Sequence, residues 1–258
     1  MNVLVILAVI LYFLMEFIGG KKGARSFIAI FLNFGVILVT VLAMKEPAID
    51  PVVFTLIASV VISCINLFYI NEVNSKTKTA FLSTMITVVI LLFFILILSD
   101  RAMIQGFGKE ETEELGALSK YVGVDFVKIG ASVIIMSTIG AITDTAIAIS
   151  SPMRELFHHR PFVTRKELFR FGISIGKDIL GTSTNTLFFA FFGSYLALLL
   201  LFKDLSYSWE EIINSKIFSA EMITILCSGI GVALIIPITA WINASYLIKR
   251  RDKQKVTG

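Results

Sequence analysis

Long apolar runs, each near the ~20 residues that a membrane-crossing helix needs, alternate with short polar connectors along this chain. They fall at about 2–18, 26–44, 51–70, 80–98, 122–148, 178–202 and 220–247. Backbone groups in lipid must be paired internally, so each run reads as a helix. The ~10-residue alternating strands of a membrane barrel are absent from the sequence. The pattern predicts an all-α, polytopic helical membrane protein with about seven transmembrane helices, forming one integral membrane domain over 1–258. The first run, "NVLVILAVILYFLMEFI", is built like a signal-peptide core. No basic residue precedes it, no small-x-small site follows it, and "KKGAR" comes next. Those flanks predict an uncleaved first helix with its N-terminus outside.

The connectors carry the orientation. Starting from outside, the inner segments are 19–25, 71–79, 149–177 and 248–258. Lys177 apart, they hold fifteen Lys and Arg; the outer segments hold six. Short basic connectors stay on the cytoplasmic side, so the chain is predicted N-out and C-in. This makes 99–121 an extracellular loop, 149–177 a cytoplasmic loop and 248–258 a basic cytoplasmic tail. The outer loop is expected to hold a short surface helix around "KEETEELGALSKYV" and a solvated acidic cluster at Glu110, Glu111, Glu113 and Glu114. In the inner loop, Thr164 with Glu167 three residues on is a capping signature. It predicts an interfacial amphipathic turn with Leu168, Phe169 and Phe171 toward lipid.

Composition agrees with this picture and narrows it. The chain is 56% hydrophobic and 16% charged, against about 25% charged in an ordinary soluble domain. The net charge of +4 sits in the connectors, so it reads as membrane orientation rather than a nucleic-acid surface. Cys64 and Cys227 lie singly inside apolar runs and read as small buried hydrophobes. His158 and His159 stand alone in a basic segment, so no metal site is expected. No HExxH, GxSxG, P-loop or GxGxxG is present, and no enzymatic activity or cofactor is expected. "TDTA" and "KDIL" lack the flanking pattern of a two-aspartate intramembrane protease.

Two polar stripes interrupt the apolar runs. In the fifth, Ser137, Gly140, Asp144, Ala148 and Ser151 share one helical face. A carboxylate within a span costs about 2.5–3.5 kcal/mol at the centre, less near the end, so Asp144 is a functional candidate by default. A helix-to-helix hydrogen bond or a place at the inner headgroups would also account for it. In the sixth run, Asp178, Thr182 and Asn185 form a stripe at i, i+4 and i+7, flanked by Gly181 and Thr184. Lys177 either snorkels to the headgroups or serves as a gating counter-charge. Asp178 is either a helix cap or part of a polar pathway. The threonines can bond back to their own helix, whereas the Asn185 amide needs an outside partner or water. Antiparallel pairing of the two runs would let Asp144, Asp178, Thr182 and Asn185 line one inner-side cavity. Asn33, Asn66 and Asn243 read as single helix-to-helix contacts. Pro237 is expected to kink the last helix, with "GIGVALIIP" marking a hinge or close crossing.

"GAITDTAIAISS" and "IGKDILGTSTNTLFFAFFGSYLALLLL", with the polar segment between them, resemble the bacterial YibE/F family of multi-pass membrane proteins. The likeness is strongest over about 125–202. Its motif falls on Gly140, Asp144, Ser150, Ser151, Gly176, Lys177, Asp178, Gly181, Thr182, Thr184, Asn185 and Thr186. Members often carry Met where Thr143 and Ser183 stand here. The chain lacks the extracellular β-rich segment of some members and is similar to the shorter, F-type ones. The resemblance implies a bacterial cytoplasmic membrane location and an E-type partner or a homo-oligomer. Such proteins are described generally as membrane or transport proteins.

The expected function is therefore a transporter or channel subunit for an ion or small solute. Its polar pathway would run between spans five and six through Asp144, Lys177, Asp178, Thr182, Thr184 and Asn185, with Gly140, Gly176 and Gly181 packing helices. The alternative is a structural or assembly subunit without transport of its own, its polar stripes acting as interhelical contacts. Lipid or cell-envelope handling is a third reading, resting on the basic segment 154–170. The expected surroundings are the lipid bilayer and a membrane-protein partner, with no nucleic acid.

Overall fold

A computed structural model describes residues 2–44, 46, 48–102 and 125–257, with side chains except those of Asp100 and 253–257. The described residues are helical and contain no strand, as the apolar pattern requires. The acidic cluster and surface helix expected in the outer loop lie outside them. Five helices are long and apolar enough to cross a membrane, or six if one bent pair counts as a single span.

Helix α1 (Val3–Ala43) contains the first two apolar runs. It breaks at Gly20, whose φ of 55° and ψ of −141° are conformations that a residue without Cβ adopts freely. The chain then doubles back: a Cβ at Gly23 would strike the Met15 carbonyl, and the rings of Tyr12 and Phe27 meet edge to face at 5.3 Å. α1 is thus a tight helical hairpin, with much of its apolar surface facing outward.

Helix α2 (Pro51–Cys64) starts at Asp50, whose side chain accepts from the N–H groups of Val52 and Val53, with Pro51 in the first turn. It continues as a π-turn over Ile65–Tyr69, closed by Ile70 N–H donating to the Ile65 carbonyl at 3.2 Å. Helix α3 (Ser75–Arg101) opens on a capping box between Asn74 and Thr77. Helix α4 (Phe126–His159) is capped by Asp125. Its 34 residues span about 51 Å, well beyond the apolar core of a bilayer.

Helix α5 (Arg165–Ser194) begins at the Thr164–Glu167 capping box, so the expected interfacial turn is the first part of the helix itself, which starts well before the run at 178–202. It bends by 52° at Tyr195 into α6 (Leu196–Asp204). The short α7 (Trp209–Asn214) leads to α8 (Lys216–Thr257), which runs through Pro237 as one helix. Of the stretch 149–177, only 160–164 lies outside helices.

α4 is the centre of the fold. It packs on α3, α8 and α2, while α5 lies along α8 and α4. One core cluster joins Leu67, Leu91, Ile95, Ile134, Ile139, Ile142 and Ile235. A second, toward the α4–α5 connector, joins Ile149, Met153, Leu168, Ile236, Ala240 and Leu247. Leu168 is fully buried there, correcting its expected place against lipid; Phe169 and Phe171 also pack on this cluster. Close approach needs small residues. A Cβ at Gly231 would come within 2.9 Å of both Leu91 and Thr138, so "GIGVALIIP" marks a close crossing of α8 with α3 and α4. Cys227 is buried and Cys64 half-buried, both as free thiols.

Candidate functional site

The C-terminal half of α4 faces a cavity of about 490 Å³ bounded by the second arm of α1, the π-turn of α2 and the start of α3. Its polar lining is Lys22, Ser26, Asn33, Asn66, Asn71, Lys76, Thr143, Asp144 and Ser151. Along α4 the lining runs from Ser151 up to Thr143, a depth of about 12 Å. Asp144, itself exposed, thus lies on the wall of an open polar recess between otherwise apolar helices.

The local sequence explains how the chamber forms. A π-turn adds one residue to a helical turn and leaves a carbonyl without its usual partner. Here Asn71 Nδ2 satisfies the freed Asn66 carbonyl at 3.0 Å. The Asn66 side chain is then directed toward α1, where its Oδ1 accepts from Asn33 Nδ2 at 2.8 Å. The remaining oxygen of Asn33 is buried and has no hydrogen-bond partner among the described residues. A buried amide oxygen of this kind is costly unless something fills its need. Lys76 Nζ donates to Ser151 Oγ at 3.2 Å at the chamber floor, and Arg25 pairs with Glu72 at 2.8 Å.

The second polar stripe is elsewhere. α5 buries Leu168, Gly172, Gly176 and Phe191, whereas Lys177, Asp178, Gly181, Thr182 and Asn185 are exposed. None of these five lines the Asp144 chamber. Asp178 lies thirteen residues into α5, which rules out an N-terminal cap for it. The ion pairs among the described residues include neither Lys177 nor Asp178. Thr182, Thr184 and Thr186 donate to the carbonyls of Ile179, Leu180 and Thr182 in their own helix. Thr184 is turned toward α8, where a Cβ on Gly229 would lie 3.6 Å from its methyl group.

Of the three glycines expected to pack helices, Gly176 does so, lying so close to Ile236 that a Cβ would collide with it. A Cβ at Gly140 or Gly181 would meet nothing within 4 Å. Gly172, not singled out from the sequence, packs on Met153 and Ala240. Asn33 and Asn66 pair with each other between α1 and the π-turn, the helix-to-helix role expected of them, and also wall the Asp144 chamber. Asn243 accepts from Thr79 at 2.8 Å, the helix-to-helix role expected of it. No cluster of three or more His, Cys, Asp or Glu that could hold a metal occurs among the described residues.

No curated protein and no solved structure matches the chain. A family model described as YibE/F-like protein matches residues 7–250, nearly the whole length. With its apolar helices, the chain is a membrane protein that belongs to the YibE/F family.

Proposed function

We propose that this protein is a subunit of a transport or channel assembly for an ion or small polar solute, with the Asp144 chamber as its polar pathway. One observation carries the reading: an exposed carboxylate, paired amides and hydroxyls line an open 490 Å³ cavity between apolar helices. Intramembrane ionisable residues mark substrate or proton routes more often than they serve packing. The lining holds one carboxylate, Asp144, and two ammonium groups, Lys22 and Lys76. That balance disfavours a bare metal cation and suits an anion or a zwitterion. Seven crossings, with both arms of α1 inserted and the C-terminus inside, fit the fifteen-to-six partition of basic residues. The bacterial cytoplasmic membrane is the location this reading assigns, and the chain has no catalytic role in it.

The test is flux in proteoliposomes containing the purified chain, alone and with a second YibE/F-type membrane protein. Asp144→Asn is expected to reduce flux while the assembly survives. Unchanged flux in that variant would sink the reading.

A second reading has its own support. Asp178, Thr182 and Asn185 are exposed on α5, in a protein whose exposed surface is otherwise largely apolar. Polar groups facing lipid are costly, which favours a helix of a second copy or of a family partner against that stripe. In this reading the chain is an assembly subunit. Loss of complex formation in Asn185→Leu, with flux unaffected by Asp144→Asn, would favour it.

A further inference from the structure

A second cavity, of about 620 Å³, lies at the end of the bundle where α3 begins and α4 and α8 finish. Its cations converge on three consecutive residues at the start of α3. Arg154 Nη1 donates to the Asn74 side-chain oxygen at 3.3 Å, and Arg250 Nη1 to Ser75 Oγ at 2.6 Å. Lys76, the third residue, has its ammonium on Ser151. These three charges from α4, α8 and α3 are held by neutral oxygens, with no carboxylate partner among the described residues. The one carboxylate in the lining, Glu155, is occupied by His159 Nε2 at 3.0 Å.

A fourth cation, Arg251, shapes the rim. Its Nη1 donates to the carbonyls of Pro161 and Val163, both at 3.0 Å, tying the α4–α5 connector to α8. Phe157 and Leu247 give the cavity an apolar wall.

The positive-inside bias accounts for basic residues at this end of the chain but not for their convergence. Neutral oxygens position these cations but leave their mutual repulsion uncompensated. Here α3 also directs the positive end of its dipole toward the same place, its N–H groups at Lys76 and Thr77 being held by the Asn74 cap. Two guanidinium forks, an ammonium and a helix start suit a tetrahedral, multiply charged oxyanion better than a single carboxylate.

We propose that this cavity binds a phosphate group through Lys76, Arg154 and Arg250, with Phe157 and Leu247 lying against the apolar part of its carrier. The chemistry is shared by the headgroup of an anionic phospholipid and by free phosphate. Basic pockets between membrane helices on the cytoplasmic side recognise such headgroups. The site adjoins the Asp144 chamber, sharing Lys76 and Ser151 with it, and does not depend on the transport reading.

The test uses the full chain purified in an uncharged detergent. Phosphatidylglycerol, phosphatidylcholine and inorganic phosphate are titrated in turn. Retained lipid is read by native mass spectrometry, and phosphate by the rise in the unfolding midpoint. Arg154→Gln with Arg250→Gln is compared with Lys166→Gln and Arg170→Gln, which remove equal charge from the exposed start of α5 outside the cavity. The cavity pair is expected to weaken binding by roughly tenfold or more, the outside pair much less. Retention of phosphatidylglycerol over phosphatidylcholine assigns a lipid source. Stabilisation by phosphate without lipid selectivity assigns a free one.

Equal weakening by both pairs would overturn the proposal, as would weakening by neither. Should the glutamine variants not fold, Arg154→Lys and Arg250→Lys keep the charge and lose the forks. Wild-type protein that tells neither phosphatidylglycerol from phosphatidylcholine nor phosphate from chloride overturns the site without any variant.

Discussion

Lys76 donates to Ser151 at 3.2 Å, and both side chains wall two cavities at once. The Asp144 chamber lies on one side of that bond and the basic cavity on the other. One charge-assisted hydrogen bond separates them, and such a bond contributes about 1.5–3 kcal/mol net. It is therefore the natural place for the two spaces to join.

Joining them has a measurable consequence. In a background of Cys64→Ala and Cys227→Ala, a cysteine replacing Asp144 reports access to the chamber. A charged, water-soluble thiol reagent added from the cytoplasmic side should label it several-fold faster once Ser151→Ala breaks the bond. Identical labelling rates would mean that the chamber fills by another route, between α1 and α2.

The glycines divide into two groups with opposite expected outcomes. At Gly172 a Cβ would lie 2.6 Å from the Met153 sulfur and 2.8 Å from the Ala240 Cβ. Overpacking of that kind costs about 1–3 kcal/mol, so Gly172→Ala should lower the unfolding midpoint in detergent. Gly140 and Gly181 have open space around them. Alanine there removes a flexible helical residue and should be neutral or stabilising by up to about 1 kcal/mol. A destabilised Gly181→Ala in the isolated chain would show that α5 packs more closely than its exposure indicates.

How far all this was legible in the sequence depends on the solvent. Span positions come from apolar length alone, which is why α2 and α3 fall close to where expected, whereas α4 runs on to His159 through a polar stretch read as loop. The cap at Thr164 and Glu167 was legible, because a capping box is local chemistry, although the span itself was expected to begin only near 178. Which face of a helix turns inward was not. Lipid accepts leucine as readily as a protein core does, so no apolar stripe separates the buried face of α5 from the exposed one. Polarity suggested that Asp178, Thr182 and Asn185 face inward, yet the buried face is the one carrying Gly172 and Gly176. The Asn33–Asn66 pair was hidden for another reason. Asn66 sits in a π-turn, and no helical spacing foretells where a π-turn directs its side chains.

The α5 stripe can be tested without knowing any substrate. Cysteines replacing Thr182 or Asn185, in the same cysteine-free background, should cross-link in native membranes if a second helix lies against them. Asn185→Leu should then shift the assembly toward single chains while leaving the fold intact, because the side chain is exposed within the chain. Cysteines that react only with lipid-soluble reagents and never cross-link would place the stripe against lipid.

At the opposite end of α4, Lys128 Nζ donates to Asp50 Oδ2 at 2.6 Å while Asp50 also caps α2. The Lys128 bond holds the Asp50 carboxyl below its usual range; burial opposes it, ranking second, and the N–H groups of Val53 and Val52 add smaller lowering effects. A carboxyl depressed in the folded chain adds stability above its unfolded pKa of about 3.9. That contribution fades as the pH falls through the lower, folded value. Both side chains are about 40% exposed, so the pair adds only about 0–1 kcal/mol. Asp50→Asn keeps an equally good cap and removes only the charge. Its deficit in unfolding midpoint should be present at pH 7, shrink below about pH 4 and vanish in stronger acid. Asp50→Ala should cost about 1 kcal/mol more than Asp50→Asn at every pH, because it also loses the cap. A deficit in Asp50→Asn that stays constant into strong acid would show that the Lys128 pair contributes nothing and that the carboxyl acts only through the backbone of α2.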